Sequence, residues 1–172
     1  LTAYITPLRQ AGARVSMFVG PDPRQIEASA AIGAAVVELH TGHYCDLHYE
    51  GRFAERDAEL KALENAAALA ASLGLEVHAG HGLTYETVAP VAAIPEIKEL
   101  NIGHFLIGEA VFMGLDTAIR RMRSLRAIEG SGGSTAGLEQ CSVISVRQDR
   151  HQHHGGQQRN EFTTAYVDVF CK

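Results

Sequence analysis

The sequence predicts an α/β fold of four βα units on a parallel sheet, either a partial (β/α)8 TIM barrel or a small open sheet. Three observations lead there. From residue 1 to about 130, short β-branched or apolar runs alternate with longer segments of helical period. The connections between these segments are only a few residues long. Three of the four expected strands end in polar residues, and parallel α/β folds hold their ligands beyond the carboxyl ends of the strands. A complete barrel takes roughly 200 residues or more. The half-barrel reading therefore expects a fragment, and the start at Leu1, already inside an apolar helical face, agrees with it.

Taken in order, residues 1–11 form that first helix and residues 14–19 the first strand. Asp22-Pro23-Arg24-Gln25 then supplies an N-cap acid, a proline at the first helical position and a Gln three residues after the cap, so a helix begins there and stops at Gly33. Residues 36–40 make the second strand. Residues 52–73, rich in Ala, Leu and Glu and closed by Gly74, make a long helix with an apolar stripe for the sheet. The third strand is 76–80. Thr84 with Thr87 opens a helix running to about Ile94, before Pro95. The fourth strand covers 100–102, a shorter helix covers 105–113, and Asp116 caps a last one over 117–128.

Composition narrows the function. Fifteen Lys and Arg against 20 Asp and Glu give a net charge of −5, without the basic excess that nucleic acid or an anionic membrane surface requires. The longest apolar run, residues 66–75, falls short of the ~20 residues that span a bilayer, and residues 1–13 lack the charged-then-apolar pattern expected of a leader. The expectation is a cytoplasmic protein with neither nucleic-acid nor membrane partners. Cys45, Cys141 and Cys171 are odd in number and widely spaced, so free thiols in a reducing compartment are expected.

The polar strand ends carry the candidate chemistry. In the second strand, Val36-Val37-Glu38-Leu39-His40-Thr41-Gly42, period-2 alternation puts Glu38 and His40 on one face, the inner one if Val37 and Leu39 pack on helices. Two readings of Glu38 stand: a buried carboxylate satisfied by its neighbours, or an acid/base or charge-stabilising group tuned by an apolar site. The third strand ends His78-Ala79-Gly80-His81-Gly82-Leu83-Thr84. His81 at the rim suits proton transfer near neutral pH, and Gly82 leaves an N–H to face an anion beside the helix that Thr84 caps. His78 is expected to point inward, with a hydrogen-bonded structural role as open as a catalytic one. The fourth strand runs into Asn101-Ile102-Gly103-His104, a strand-to-helix turn whose free N–H groups make a phosphate cradle together with Gly82. Metal chemistry is not favoured, because His78 and His81, three apart on extended backbone, lie up to ~10 Å apart on opposite faces.

Six ordered blocks carry a family resemblance: Gly12-Ala13 leading into Val15-Ser16-Met17-Phe18-Val19; Glu38-Leu39-His40-Thr41-Gly42; Ala70-Ala71-Ser72-Leu73-Gly74-Leu75; Ala79-Gly80-His81-Gly82-Leu83-Thr84-Tyr85; Ala92-Ala93-Ile94-Pro95-Glu96; and Glu99-Leu100-Asn101-Ile102-Gly103-His104. On these, residues 1–130 resemble the carboxyl-terminal half of the pyridoxine 5′-phosphate synthase (PdxJ) family. The resemblance implies a (β/α)8 barrel of which these are strands five to eight, assembled as an octamer. It implies a cofactor-free condensation of 1-deoxy-D-xylulose 5-phosphate with 3-amino-2-oxopropyl phosphate to pyridoxine 5′-phosphate, phosphate and water, in vitamin B6 biosynthesis. His81 is similar to the family's proton-donating histidine and Glu38 to its charge-stabilising glutamate. Gly82, Gly103 and His104 resemble its amino-oxopropyl phosphate site.

The family's first half carries an Asn-x-Asp-His strand end, a His-x-Arg-x-Asp-Arg-Arg-His segment, a second catalytic glutamate and a lid loop with a phosphate-binding Thr, none of which occurs here. Full catalysis is accordingly not expected from this chain alone. A catalytically inactive truncated product that only binds phosphate or joins intact subunits, and a different phosphate-binding barrel enzyme, remain alternatives. Residues 131–172 hold five of the seven Gln and lose all periodicity. A disordered, appended tail is expected there, with His151, His153 and His154 able to bind metal incidentally.

Overall fold

The computed structural model describes residues 1–127. The expectations for the tail, for Cys141 and Cys171 and for the last residue of the final helix lie outside the described residues. Among the described residues, four strands and seven helices follow one another as α1 (Thr2–Gln10), β1 (Ser16–Val19), α2 (Pro23–Ala31), β2 (Val36–His40), α3 (Gly42–Tyr49), α4 (Phe53–Ser72), β3 (Glu76–Gly80), α5 (Val88–Ala92), β4 (Ile97–Asn101), α6 (His104–Met113) and α7 (Leu115–Ala127). The strands are parallel and lie in sequential order, β1-β2-β3-β4. Among the same residues no helix is long and apolar enough to cross a membrane.

Strand periodicity separates two faces. Met17, Val19, Val37, Leu39, Val77, Ala79 and Leu100 join one hydrophobic cluster with Ile26 of α2, Leu63, Ala66, Ala67 and Ala70 of α4, and Leu106 of α6. Ala66, Ala67 and Ala70 of α4 are fully buried or nearly so, and their small side chains bring the helix backbone close to the sheet, where each apolar Å2 removed from water contributes about 25 cal/mol. The alternate strand residues share one cross-strand row, Phe18 beside Glu38, Glu38 beside His78 and His78 beside Glu99. By period 2 this polar row lies on the face away from the helices.

The sequence patterns for α2 and α4 hold closely. Asp22 caps α2 by accepting from the Arg24 N–H at 2.9 Å, but Gln25 reaches back past the cap to the Gly20 N–H at 3.2 Å. Four expectations need correction. Asp116 does not cap the last helix, because α7 already starts at Leu115; it lies in the first turn and accepts from Arg120 at 2.9 Å. The strand expected over 100–102 lies at Ile97–Asn101. Its charged run Glu96-Ile97-Lys98-Glu99 hid it, and so did a register shift against Val77 and His78 that leaves Lys98 outside the pairing. The helix expected over 84–94 is only Val88–Ala92, capped at Thr87 rather than Thr84. Pro90 explains the delay, because a helical proline clashes with the carbonyl four residues earlier, here that of Glu86. Thr84 and Thr87 instead close a turn, the Thr84 N–H donating to Thr87 Oγ1 at 3.0 Å. Finally, α3 occupies a stretch for which the sequence suggested no element. Tyr44, Cys45 and Leu47 are its buried side chains.

Candidate functional site

The parallel order puts the carboxyl ends of all four strands at one end of the sheet, and every predicted site residue follows from β2, β3 or β4. Glu38 is 3% exposed. Its Oε2 accepts from Asn101 Nδ2 at 2.9 Å, a bond between β2 and β4 that crosses β3 over Gly80. A Cβ at Gly80 would fall 2.7 Å from Glu38 Oε1 and 2.6 Å from the Asn101 carbonyl oxygen. The missing side chain thus admits the carboxylate. The sequence suggested that small residues here would let a ligand approach; the group that approaches is Glu38 itself. Asn101 went unnamed among the sequence candidates, although it heads the Asn101-Ile102-Gly103-His104 turn.

His81 stands just past β3 and is exposed. Its φ is +78°, which no other non-glycine residue shares among the described ones; side chains rarely adopt this region because Cβ crowds the backbone. Thr41, fully buried, places its Oγ1 2.7 Å from the Gly80 carbonyl and 2.6 Å from the His81 carbonyl. A hydroxyl has one proton to give, so the two carbonyls share it. The Thr41 N–H also donates to the Gly80 carbonyl at 2.9 Å. The His81 ring stacks on His40 with centroids 4.7 Å apart and planes at 27°. Phe18 meets His40 edge-on at 5.1 Å. Burial first, then the positive charge that His81 can carry, holds the His40 imidazole below its ordinary protonation range, and nearby Asp46 opposes both.

Gly82 has φ +81° and packs against α3, where a Cβ would lie 3.3 Å from Gly42 Cα and from Cys45 Cβ. Helix α3 also grips the following turn. The Tyr44 hydroxyl donates to the Thr87 carbonyl at 3.3 Å, the Cys45 thiol to Thr87 Oγ1 at 3.6 Å, and the Tyr49 and Thr84 hydroxyls meet at 2.6 Å. Burial pushes the Cys45 thiol up to about 11, which makes it a packing group and no nucleophile. Gly103 is the N-cap of α6 and His104 its first, exposed residue. No side chain caps that helix, so its first N–H groups face outward at the end of β4.

His78 stands apart from this group. It is 3% exposed, and its Nε2 pairs with Glu76 Oε1 at 2.8 Å. Glu76 Oε2 in turn accepts from Arg14 at 2.8 Å. Burial raises the Glu76 carboxyl, but the His78 and Arg14 hydrogen bonds outweigh it and keep it below the usual carboxylate range. This chain ties β1 to β3 and satisfies His78 structurally. Among the described residues no three His, Cys, Asp or Glu side chains are grouped to hold a metal ion.

The fold and these strand ends define a class: a parallel α/β protein with a buried carboxylate, an exposed imidazole and a free helix N-terminus at one end of its sheet. The sequence profile described as "Pyridoxal phosphate biosynthesis protein PdxJ" matches residues 1–127, and the chain belongs to that family. Pyridoxine 5′-phosphate synthase of Cereibacter sphaeroides is 70% identical over 123 residues, which cover 72% of this chain and 49% of that protein. The protein of the same description from Ruegeria pomeroyi is 66% identical over 125 residues, 73% of this chain and 50% of that one. That of Caulobacter vibrioides is 65% identical over 118 residues, 69% and 46%. The resemblance drawn from the six sequence blocks is therefore borne out, and the chain spans about half the length of the curated relatives it matches.

Proposed function

We propose that this chain supplies one phosphate-anchoring end of a pyridoxine 5′-phosphate synthase, acting in the condensation of 1-deoxy-D-xylulose 5-phosphate with 3-amino-2-oxopropyl phosphate. Gly82, Gly103 and His104 hold the phosphate of the amino-oxopropyl substrate. His81 donates a proton to the departing oxygen in a dehydration step, and the Glu38 carboxylate stabilises the positive charge of the imine that forms on the way. The chemistry needs an acid and a counter-charge beside a tethered substrate, and the tether supplies orientation. Residues 1–130 act as one domain, the last four βα units of a (β/α)8 barrel whose subunits form a homo-oligomer in the cytoplasm.

The observation that carries this reading is the buried Glu38 carboxylate, held by Asn101 over Gly80 on the row of Phe18 and His78. A buried carboxylate is costly unless paired or used, and family membership favours use. Support for the barrel comes from the strand order, which never reverses as a doubly wound sheet's order does, and from one helix-covered face opposite one polar face.

Titration of the 15N-labelled chain with 3-amino-2-oxopropyl phosphate tests the site. Saturable shifts of the Gly82 and Gly103 amides are expected, weakened in His104→Ala. If both amides stay still up to millimolar ligand while the spectrum shows a folded chain, the phosphate assignment is wrong.

A further inference from the structure

We propose that His40 is a positioning residue for His81: its ring is the platform on which the His81 imidazole lies, and the stack fixes where the His81 ring nitrogens point. The inference rests on the reading of His81 as the proton donor and adds what holds it.

Four independent features converge on the pair. The strand register sets His40 beside Gly80, the residue before His81, so the two rings leave neighbouring strand ends together. Their 4.7 Å separation and 27° tilt make a face-to-face contact, while Phe18 lies edge-on to His40 at 5.1 Å and tilted to His81 at 6.2 Å. Gly42, the first residue of α3, closes the cluster: a Cβ there would fall 2.5 Å from His40 Cε1 and 3.0 Å from His81 Cδ2. Thr41 holds the two carbonyls that flank the His81 Cα, those of Gly80 and of His81 itself. With its backbone at φ +78°, His81 keeps an unfavoured conformation that persists only where surroundings over-determine it.

The pair is asymmetric in a useful direction. His40 is half-buried and His81 exposed. The titratable groups facing His40 are His81 from the loop after β3, and Asp46 and His43 from α3. Burial and the charges of His81 and His43 lower the protonation range of the His40 imidazole, and Asp46 opposes them. A flat ring beneath His81 limits the rotation of its imidazole and so fixes the direction of its nitrogens.

The test uses imidazole-detected 1H–15N and 1H–13C spectra of the labelled chain across pH 5–9, for wild type, His40→Gln and His40→Phe. Wild type should show a nuclear Overhauser contact between the two rings and upfield His81 ring protons. His40→Gln should move the His81 ring protons downfield by several tenths of a ppm and change the His81 titration midpoint. His40→Phe should restore the upfield shifts. Absence of the ring-to-ring contact in wild type, or His81 ring resonances and midpoint unchanged in a folded His40→Gln chain, would overturn the proposal. The wild-type contact needs no variant, so a variant that fails to fold leaves the question answerable. Silent Gly82 and Gly103 amides in the substrate titration count against the proposed function and leave the ring result standing; an absent stack does the reverse.

Discussion

Gly80 is the residue on which the site turns, since its missing Cβ is what lets Glu38 of β2 reach Asn101 of β4. Gly80→Ala would set a methyl against a backbone carbonyl, which cannot swing aside as a flexible side chain can. Overpacking of this kind costs about 1–3 kcal/mol. Urea unfolding should show that loss, and an unchanged midpoint would mean that the carboxylate does not lie over β3. His81 offers a second test. His81→Ala and His81→Gly both remove the ring, so their difference isolates the backbone at φ +78°. Glycine reaches that region without penalty, and the Gly variant should be the more stable by about 1 kcal/mol. Equal stabilities would place this residue in an ordinary conformation.

Among the elements, α3 matters most for positioning. Gly42 opens it against both stacked rings, and Tyr44, Cys45 and Tyr49 hold the turn that follows Gly82. It was missed because two histidines, a glycine and an aspartate interrupt its apolar pattern. The signal that could have found it is Tyr44 with Leu47, spaced by three, after a threonine at the strand end. The neighbouring α5 is short for a local reason that can be tested. Replacing Pro90 with Ala removes the clash with the Glu86 carbonyl, and helical 13Cα shifts should then extend from Val88 back toward Tyr85. Shifts that still begin at Val88 would assign the boundary to the Thr84–Thr87 hydroxyl turn instead.

Among the described residues, His40 and Glu76 are partly buried groups with lowered protonation ranges, and both shape stability against pH. His40 in the folded state lies below its ordinary 6.5, so between the two values the unfolded chain binds more protons and stability rises with pH. Its contribution is complete above about pH 6.5 and is lost as pH falls toward the folded value. Glu76 lies below 4.5; its contribution is present above that pH and lost on further acidification. Denaturation midpoints should therefore fall in two stages from pH 7 to pH 3. His40→Gln should flatten the upper stage alone, and a profile identical to wild type would refute the His40 assignment.

Much of this protein was legible in the order of its residues. The Asp22-Pro23 cap, the alanine stripe of α4 and the first three strands follow from periodicity and capping, which are local properties of the chain. So does the nomination of Glu38, His81, Gly82, Gly103 and His104, because polar residues at strand ends stand out against apolar runs. The six blocks then tied them to a family. Folding was needed for contacts between residues distant along the chain. That Asn101 bonds Glu38 across 63 positions, that His40 and His81 stack, and that Arg14 reaches Glu76 across 62 positions all depend on strand register. A shift of one residue would turn each of these side chains to the opposite face, and register is fixed by the helix-side core, which local patterns do not encode.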